Sequence, residues 1–169
     1  MALRLARLTS LRTPAWSRML HATGARLADG QPATALTLNF TLPSKAFYVK
    51  APVEMVMLPG SDGEFGVMPN HVPTITTLKP GVVSVQEVAG GELKKYFISG
   101  GFASVNSDST LNISTLEAAE LRDIDPEAVK MGLAQYSSAY ASATDDLLKS
   151  EAEIGVEVYQ SLTYAISEK

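Results

Sequence analysis

From Leu36 onward the sequence alternates between apolar and polar residues with a period of two, the pattern of a half-buried β-strand. Leu36, Leu38, Phe40 and Leu42 alternate with threonine and asparagine. Further strand-like runs follow at 46–50, 53–58, 72–78, 82–88, 93–99, 102–106 and 111–116, separated by turn signals of Gly, Pro and Asn. Short strands repeated every ~8–12 residues predict an antiparallel β-sandwich or barrel.

The pattern becomes helical after Glu117. Asp125, Pro126 and Glu127 form a helix start, with Asp as N-cap and Pro at the first helical position. One face of this helix carries Val129, Leu133, Tyr136 and Tyr140, and after a break at 142–145 a second helix carries Leu147, Ile154, Val158 and Leu162 on one side. Small residues between these positions allow the two helices to approach closely. The apolar stripe is narrow, so the hairpin must pack on the sandwich or on another chain.

The predicted fold class is therefore α+β, with an antiparallel β-sandwich at 35–117 and an antiparallel helical hairpin at 123–168. No apolar stretch approaches the roughly 20 residues that a membrane span needs, so no direct insertion into a membrane is expected.

The first 28 residues contain five arginines and no acidic residue. Together with many Leu, Ala, Ser and Thr, this composition predicts an organelle transit peptide at 1–26, followed by a polar linker at 27–34. A disordered basic tail is the alternative interpretation. Without this segment and its five arginines, the rest of the chain has 9 Lys+Arg against 18 Asp+Glu, a net charge near −9. A body so acidic is expected to bind proteins and not nucleic acid.

Residues 58–73 contain most of the unusual local sequence of the chain. They read Leu-Pro-Gly-Ser-Asp-Gly-Glu-Phe-Gly-Val-Met-Pro-Asn-His-Val-Pro, which predicts a run of tight turns with a fixed path. The segment offers no nucleophile, and the chain has no Cys and only two His. We therefore expect no catalytic residue, no bound cofactor and no metal site.

Five motifs in order resemble one family, which is formed by the δ subunit of mitochondrial F-type ATP synthase and the ε subunit of the bacterial and chloroplast enzymes. The motifs are Leu58-Pro59-Gly60, Gly63-Glu64-Phe65-Gly66-Val67, Met68-Pro69-Asn70-His71-Val72-Pro73, Leu78-Lys79-Pro80-Gly81 and Ser99-Gly100-Gly101-Phe102-Ala103. An acidic helical hairpin follows them, which strengthens the resemblance. The resemblance extends from Leu36 to about Ser167, and the transit-like segment favours the mitochondrial branch.

The resemblance implies a non-catalytic rotor subunit in the central stalk, peripheral on the matrix side of the mitochondrial inner membrane. The implied partners are the γ subunit, the c-ring and the small mitochondrial ε subunit. By the family pattern the 60–73 loop faces the c-ring, with Glu64 and His71 as contact residues. The residues expected to shape this loop are Pro59, Gly60, Gly63, Gly66, Pro69, Asn70 and Pro73.

Each contact residue has a structural alternative. Glu64 could be a solvated turn carboxylate, and His71 could be a structural histidine that bonds its own loop. Asn70 departs from the Gly often found before this His, but Asn accepts a left-handed φ.

Nucleotide binding by the hairpin is not expected. Some bacterial relatives bind ATP through an Ile/Leu-Asp-x-x-Arg-Ala motif, and the stretch from Ile124 to Val129 lacks that Arg. Two other functions remain open from the residues alone. One is a free-standing matrix adaptor built on the sandwich, and the other is a small enzyme that uses His71.

Overall fold

The computed structural model describes residues 34–167. The predicted transit peptide at 1–26 and the predicted linker at 27–34, apart from Thr34, lie outside the described residues. The ten strands are β1 (Leu36–Thr41), β2 (Ala46–Val53), β3 (Met55–Gly60), β4 (Gly63–Val67), β5 (Thr74–Leu78), β6 (Gly81–Gln86), β7 (Leu93–Ile98), β8 (Gly101–Val105), β9 (Thr110–Thr115) and β10 (Ala118–Glu120). A 3₁₀ turn (Leu121–Asp123) leads into α1 (Pro126–Ser142) and α2 (Asp146–Ser167). This arrangement confirms the predicted α+β class.

The strands form one continuous ladder in the order β10-β7-β6-β3-β5-β8-β9-β1-β2, with β4 paired to β3. The ladder has two halves, β10-β7-β6-β3 with β4 and β5-β8-β9-β1-β2. They join at a single pair, Gly60 with Leu78. Their inner faces meet in one core, whose largest fully buried side chains include Phe40, Leu38, Leu58, Ile98, Leu111 and Ile113. The predicted alternation is present in β1, where Leu36, Leu38 and Phe40 are buried.

The helical hairpin packs on the sandwich through a second, smaller cluster. Phe97, Leu121 and Ala165 are buried there, and partly buried apolar side chains surround them, namely Val82, Ile124, Val158, Leu162 and Ile166. The predicted N-cap is present, since the Asp125 carboxylate accepts a hydrogen bond from the Glu127 amide at 3.0 Å. The hairpin therefore packs on the sheet through the C-terminal half of α2.

The 58–73 segment differs from the predicted run of turns. Pro59 and Gly60 end strand β3, and residues 63–67 form strand β4, which pairs with β3 from Val56–Val67 to Gly60–Gly63. The turn pattern misled the prediction because Pro59 lies at a strand end, where a ladder is not interrupted by a missing N–H. The segment is a β-hairpin followed by one tight turn.

Candidate functional site

The tip of the β3–β4 hairpin is tied to β5. The Ser61 amide donates to the Thr77 carbonyl at 3.1 Å, and the Lys79 amide donates to the Pro59 carbonyl at 2.9 Å. These bonds hold the β3 side of the hairpin tip, on either side of Gly60, to the neighbouring half of the sandwich. The tip is therefore a fixed projection of the sheet.

Two of the predicted shaping glycines have a geometric reason to be glycine. Gly63 has φ 135°, a conformation that L side chains rarely adopt. A Cβ on Gly60 would lie 2.9 Å from the Gly63 carbonyl and 3.0 Å from the Phe65 ring. At Gly66, in contrast, the nearest atom to a Cβ would be 3.9 Å away, on Met55. Nothing in the geometry requires glycine at this third position.

Pro69 and Asn70 form the central residues of a tight turn. The His71 amide donates to the Met68 carbonyl at 3.2 Å, and Asn70 has φ 63°. Pro followed by a residue with positive φ is the pattern of a type II turn. The left-handed φ expected for Asn70 is thus present.

Ser109 anchors this turn, and the sequence did not point to it. Its hydroxyl accepts a hydrogen bond from the Asn70 amide at 2.8 Å, and only 2% of the residue is exposed. Ser109 also has φ 59° and donates its amide to the Asn106 carbonyl. The sequence signalled a turn at 106–108, but no local pattern relates that turn to a residue 39 positions earlier.

Glu64 and His71 lie on the same depression of the surface. Its lining also includes Gly60, Asp62, Phe65, Thr74 and Thr76. The Glu64 side chain is exposed on β4, opposite Pro59, and His71 is half-buried. Pro73 is exposed directly before β5, and Pro59 is buried. The fold thus brings the two predicted contact residues together at one end of the sandwich.

His71 bonds to its own loop. Its Nδ1 lies 2.8 Å from the Val72 carbonyl oxygen, a hydrogen bond when Nδ1 carries the proton. This is the contact that the structural alternative describes. In that tautomer Nε2 of the neutral ring is an acceptor, so the same side chain retains a group for an outside donor.

Perturbed pKa values occur elsewhere, in a network that joins β2 to β7 and to the loop after β6, across the two halves of the sandwich. Hydrogen bonds from Lys94 and Tyr48 hold the pKa of Glu87 below its usual range, and burial raises the pKa of Tyr48. Tyr48 donates to Glu87 at 3.0 Å, and Lys94 donates to the same carboxylate at 2.7 Å. The cause is a hydrogen-bonded cluster between strands, which indicates a structural role.

Two further properties bear on the chemistry of the described part of the chain. In residues 34–167, no group of three or more His, Cys, Asp or Glu side chains could hold a metal ion. No helix in this range is long and apolar enough to cross a membrane.

We expect Asn70→Val to lower the free energy of unfolding by about 1–2 kcal/mol, because a β-branched residue is strained at φ 63°. Chemical denaturation of the purified chain measures this loss. Asn70→Gly is the matched control and should lose less, since glycine adopts this φ without strain. Equal losses in the two variants would refute the conformational argument.

Comparison with known proteins identifies the family. The sequence profile of the ATP synthase delta/epsilon chain, beta-sandwich domain, matches residues 35–120. ATP synthase F(1) complex subunit delta, mitochondrial, of Dictyostelium discoideum is 44% identical over 130 residues, which cover 77% of this chain and 76% of that protein. Mitochondrial ATP synthase subunit delta of Yarrowia lipolytica is also 44% identical, over 76% of this chain and 78% of its own.

A solved structure agrees with these relatives. A chain in the cryo-EM structure of the Euglena gracilis mitochondrial ATP synthase, described as OSCP/F1/c-ring in rotational state 1, superposes with a TM-score of 0.76 and 31% identity. The match covers 83% of this chain and 86% of that one. The chain therefore belongs to the ATP synthase delta/epsilon family, and the two relatives named above are mitochondrial delta subunits of that family.

Proposed function

We propose that the chain is a non-catalytic central-stalk subunit of mitochondrial ATP synthase, which couples rotation of the c-ring to the γ subunit. Its family membership and the match to a chain of an F1/c-ring complex support this role. The small mitochondrial ε subunit is a further partner, and the chain is not expected to bind nucleic acid. The location that follows is peripheral, on the matrix side of the inner membrane.

The observation that carries the proposal is the stiff mounting of Glu64 and His71. The β3–β4 tip is bonded to β5, and the turn that carries His71 is bonded to the buried Ser109. Both side chains thus project from segments that hydrogen bonds hold to neighbouring parts of the sandwich. Such a mounting transmits force without bending, and it provides no group for chemistry of its own.

Energy scales indicate why stiffness matters. A proton that crosses a potential of about 100 mV releases about 2.3 kcal/mol. Several protons therefore transmit on the order of ten kcal/mol per ATP through the contact between stalk and ring. A single exposed ion pair contributes about 1 kcal/mol or less, which is too little to hold the stalk on the ring against that energy. We infer that the fixed shape of the tip supplies most of the resistance to sliding on the c-ring, and that Glu64 and His71 determine where the tip binds on the ring.

The first test asks whether the chain is part of a large complex. Mitochondrial membranes solubilised in mild detergent are separated by native electrophoresis, and a tag on the chain reports its position. Co-migration with the intact synthase and with a subcomplex that contains the c-ring supports the rotor role. Recovery only as a low-mass species would favour the free-standing adaptor and overturn the proposal.

The second test addresses the ring contact. We expect Glu64→Lys to leave folding unchanged, because the side chain is exposed, and to weaken the association of stalk and ring about tenfold. Proton-driven ATP synthesis should fall, while ATP hydrolysis by detached F1 should be unaffected. Glu92→Lys, the same charge change at an exposed site on the loop before β7, is the control and should match the wild type. Equal synthesis rates in the two variants would exclude Glu64 from the contact.

A further inference from the structure

The outward side of strands β3 and β4 carries a group of methionines. Met55 and Met57 are half-buried on β3, where they alternate with buried valine and leucine. Met68 is 51% exposed and directly follows β4. Four of the six methionines of the chain lie within residues 34–167, and three of these four are in this group. We call Met55, Met57 and Met68 the methionine cluster.

The pairing of the two strands arranges the methionine cluster around one glycine. Met57 is paired with Gly66. The pairing extends to Val67, one residue before Met68, so the same register puts Met68 beside Met55. The four outward positions thus form a rectangle, with methionine at three corners and Gly66 at the fourth.

The glycine corner leaves room above the sheet. A Cβ on Gly66 would lie 3.9 Å from the Sδ atom of Met55, so the Met55 side chain leans along the diagonal of the rectangle. Gly66 itself is exposed and adds no side chain. The space above Gly66 is therefore open to solvent and is bordered by the methionine side chains.

Helix α2 covers only the other end of this face. Val82 packs in the apolar cluster with α2, and Pro59 lines a depression together with Gln160 and Tyr164 of α2. Pro59 is the next outward position on β3 after Met57. The methionine cluster lies beyond it, at the end of the face that retains its exposure.

Strand geometry brings the three thioethers within reach of one ion. Opposed Cβ atoms are about 5 Å apart, those two residues apart on one strand about 7 Å, and diagonal ones about 7–8 Å. A point equidistant from the three Cβ atoms is then about 4 Å from each. The flexible Cβ–Cγ–Sδ arm of methionine, extended by one metal–sulfur bond, spans that distance. The cluster can therefore supply three sulfur ligands without any change in strand pairing.

The ligand type determines which ion fits. Thioether sulfur is soft and uncharged and favours Cu(I), whereas Mg²⁺ and Ca²⁺ need oxygen ligands and Zn²⁺ prefers thiolate, imidazole or carboxylate. The β6 residues paired with Met55 and Met57 are Gln86 and Ser84, which are uncharged. The expectation of no metal site considered Cys and His, and it did not consider thioethers.

We propose that the methionine cluster is a binding site for one Cu(I) ion, held above Gly66 by the sulfur atoms of Met55, Met57 and Met68. The three sulfurs each donate a lone pair, and binding releases no proton and changes no oxidation state. This site goes beyond the rotor function and does not depend on it.

The test is a competition for Cu(I) between the purified full chain and a chromogenic Cu(I) chelator, with ascorbate and without oxygen. The wild type should bind Cu(I) at least tenfold more tightly than Met68→Leu, since leucine keeps the size and apolar character of methionine and removes the sulfur. Met131→Leu is the matched control, because Met131 is a 74% exposed methionine on α1, and it should bind as the wild type does. Equal affinities of these two variants would place the copper elsewhere in the chain and overturn the inference.

The pH dependence separates sulfur from nitrogen ligands. Thioethers take up no proton, whereas imidazole does so between about pH 5 and 8 and then loses its metal. After correction for the chelator, the affinity for Cu(I) should be the same at pH 6 and at pH 8. A tenfold weaker affinity at pH 6 would indicate histidine ligands and overturn the inference.

A further variant tests the open corner. Gly66→Val places a branched side chain beside Met57 and the Met55 sulfur, and it should weaken Cu(I) binding at least tenfold while the circular dichroism spectrum stays that of the wild type. If Gly66→Val alters that spectrum, Met55→Leu provides the same test. Unchanged affinity in the folded variant contradicts the site. Failure of the wild type to compete for Cu(I) also overturns the inference, and it leaves the rotor function untouched.

Discussion

Gly101→Ala is expected to lower the free energy of unfolding by about 3 kcal/mol, because the sandwich has no room for a methyl group at this position. A Cβ on Gly101 would run into the Ser114 carbonyl of the paired strand β9 and would lie 3.1 Å from the Thr115 Cα. Both contacts are with backbone atoms, which no rotamer change can move away. Gly101 also has φ 157°, which favours glycine.

The loss should be visible as a fall of about 2 M in the urea midpoint for a chain of this size. The β8–β9 pairing must open to admit the methyl group, and this pairing lies in the middle of the ladder. Gly66→Ala is the control, because its Cβ has 3.9 Å of clearance, and it should change stability by no more than about 0.5 kcal/mol. A urea midpoint for Gly101→Ala equal to that of Gly66→Ala would contradict the packing argument.

The sequence predicted the class of fold because its signals are local. The alternation of Leu36, Leu38 and Phe40 is a property of five consecutive residues, and the Asp125-Pro126-Glu127 start of α1 is a property of three. In both places the structure has the predicted element, with buried alternate side chains in β1 and a capping hydrogen bond at Asp125. Local patterns of this kind do not depend on which strands later become neighbours.

The parts that the sequence did not predict depend on distant pairings. Strand β10 and the tie between Asn70 and Ser109 need partners 20 or more residues away. The exposure of Leu147 and Ile154 has a similar cause. They lie on the same side of α2 as Val158 and Leu162, as predicted, but the sandwich contacts only the C-terminal half of that stripe. The helical periodicity of a sequence does not show how far along the helix the neighbouring sandwich surface extends.

The contact roles of Glu64 and His71 remain predictions for a similar reason. The fold explains why the two side chains line one depression, since the β3–β4 tip is bonded to the end of β5, His71 precedes the start of β5, and Thr74 and Thr76 of β5 complete the lining. What they touch is a property of another protein. The family pattern supplied that assignment, and the geometry adds only that the site is stiff and accessible.

The helical hairpin offers a prediction in which the sign of the effect is informative. Each helix places a glycine under a tyrosine of the other, Gly132 under Tyr159 and Gly155 under Tyr136. The two rings stack with centroids 5.4 Å apart. The Cβ of an alanine at 155 would lie 2.6 Å from the Tyr136 Cε1. The glycines therefore set the distance between α1 and α2.

Gly155→Ala should destabilise the hairpin by about 1–2 kcal/mol, although glycine to alanine in an exposed helix stabilises by about 1 kcal/mol. The ring of Tyr136 must move, and the loss of its packing exceeds the gain in helix propensity. Native-state hydrogen exchange measures this, with faster exchange in α1 and α2 and unchanged protection in β8 and β9.

A Tyr136→Ala background should reverse the sign of the Gly155→Ala effect. Without the ring, a methyl group at 155 has room, so only the propensity term remains and the same substitution should slow exchange in α2. The difference between the two backgrounds is the coupling energy of the Gly155–Tyr136 contact. The same sign in both backgrounds would mean that the tyrosine does not set the helix spacing, and that the hairpin is held mainly by its cluster with Phe97 and Leu121.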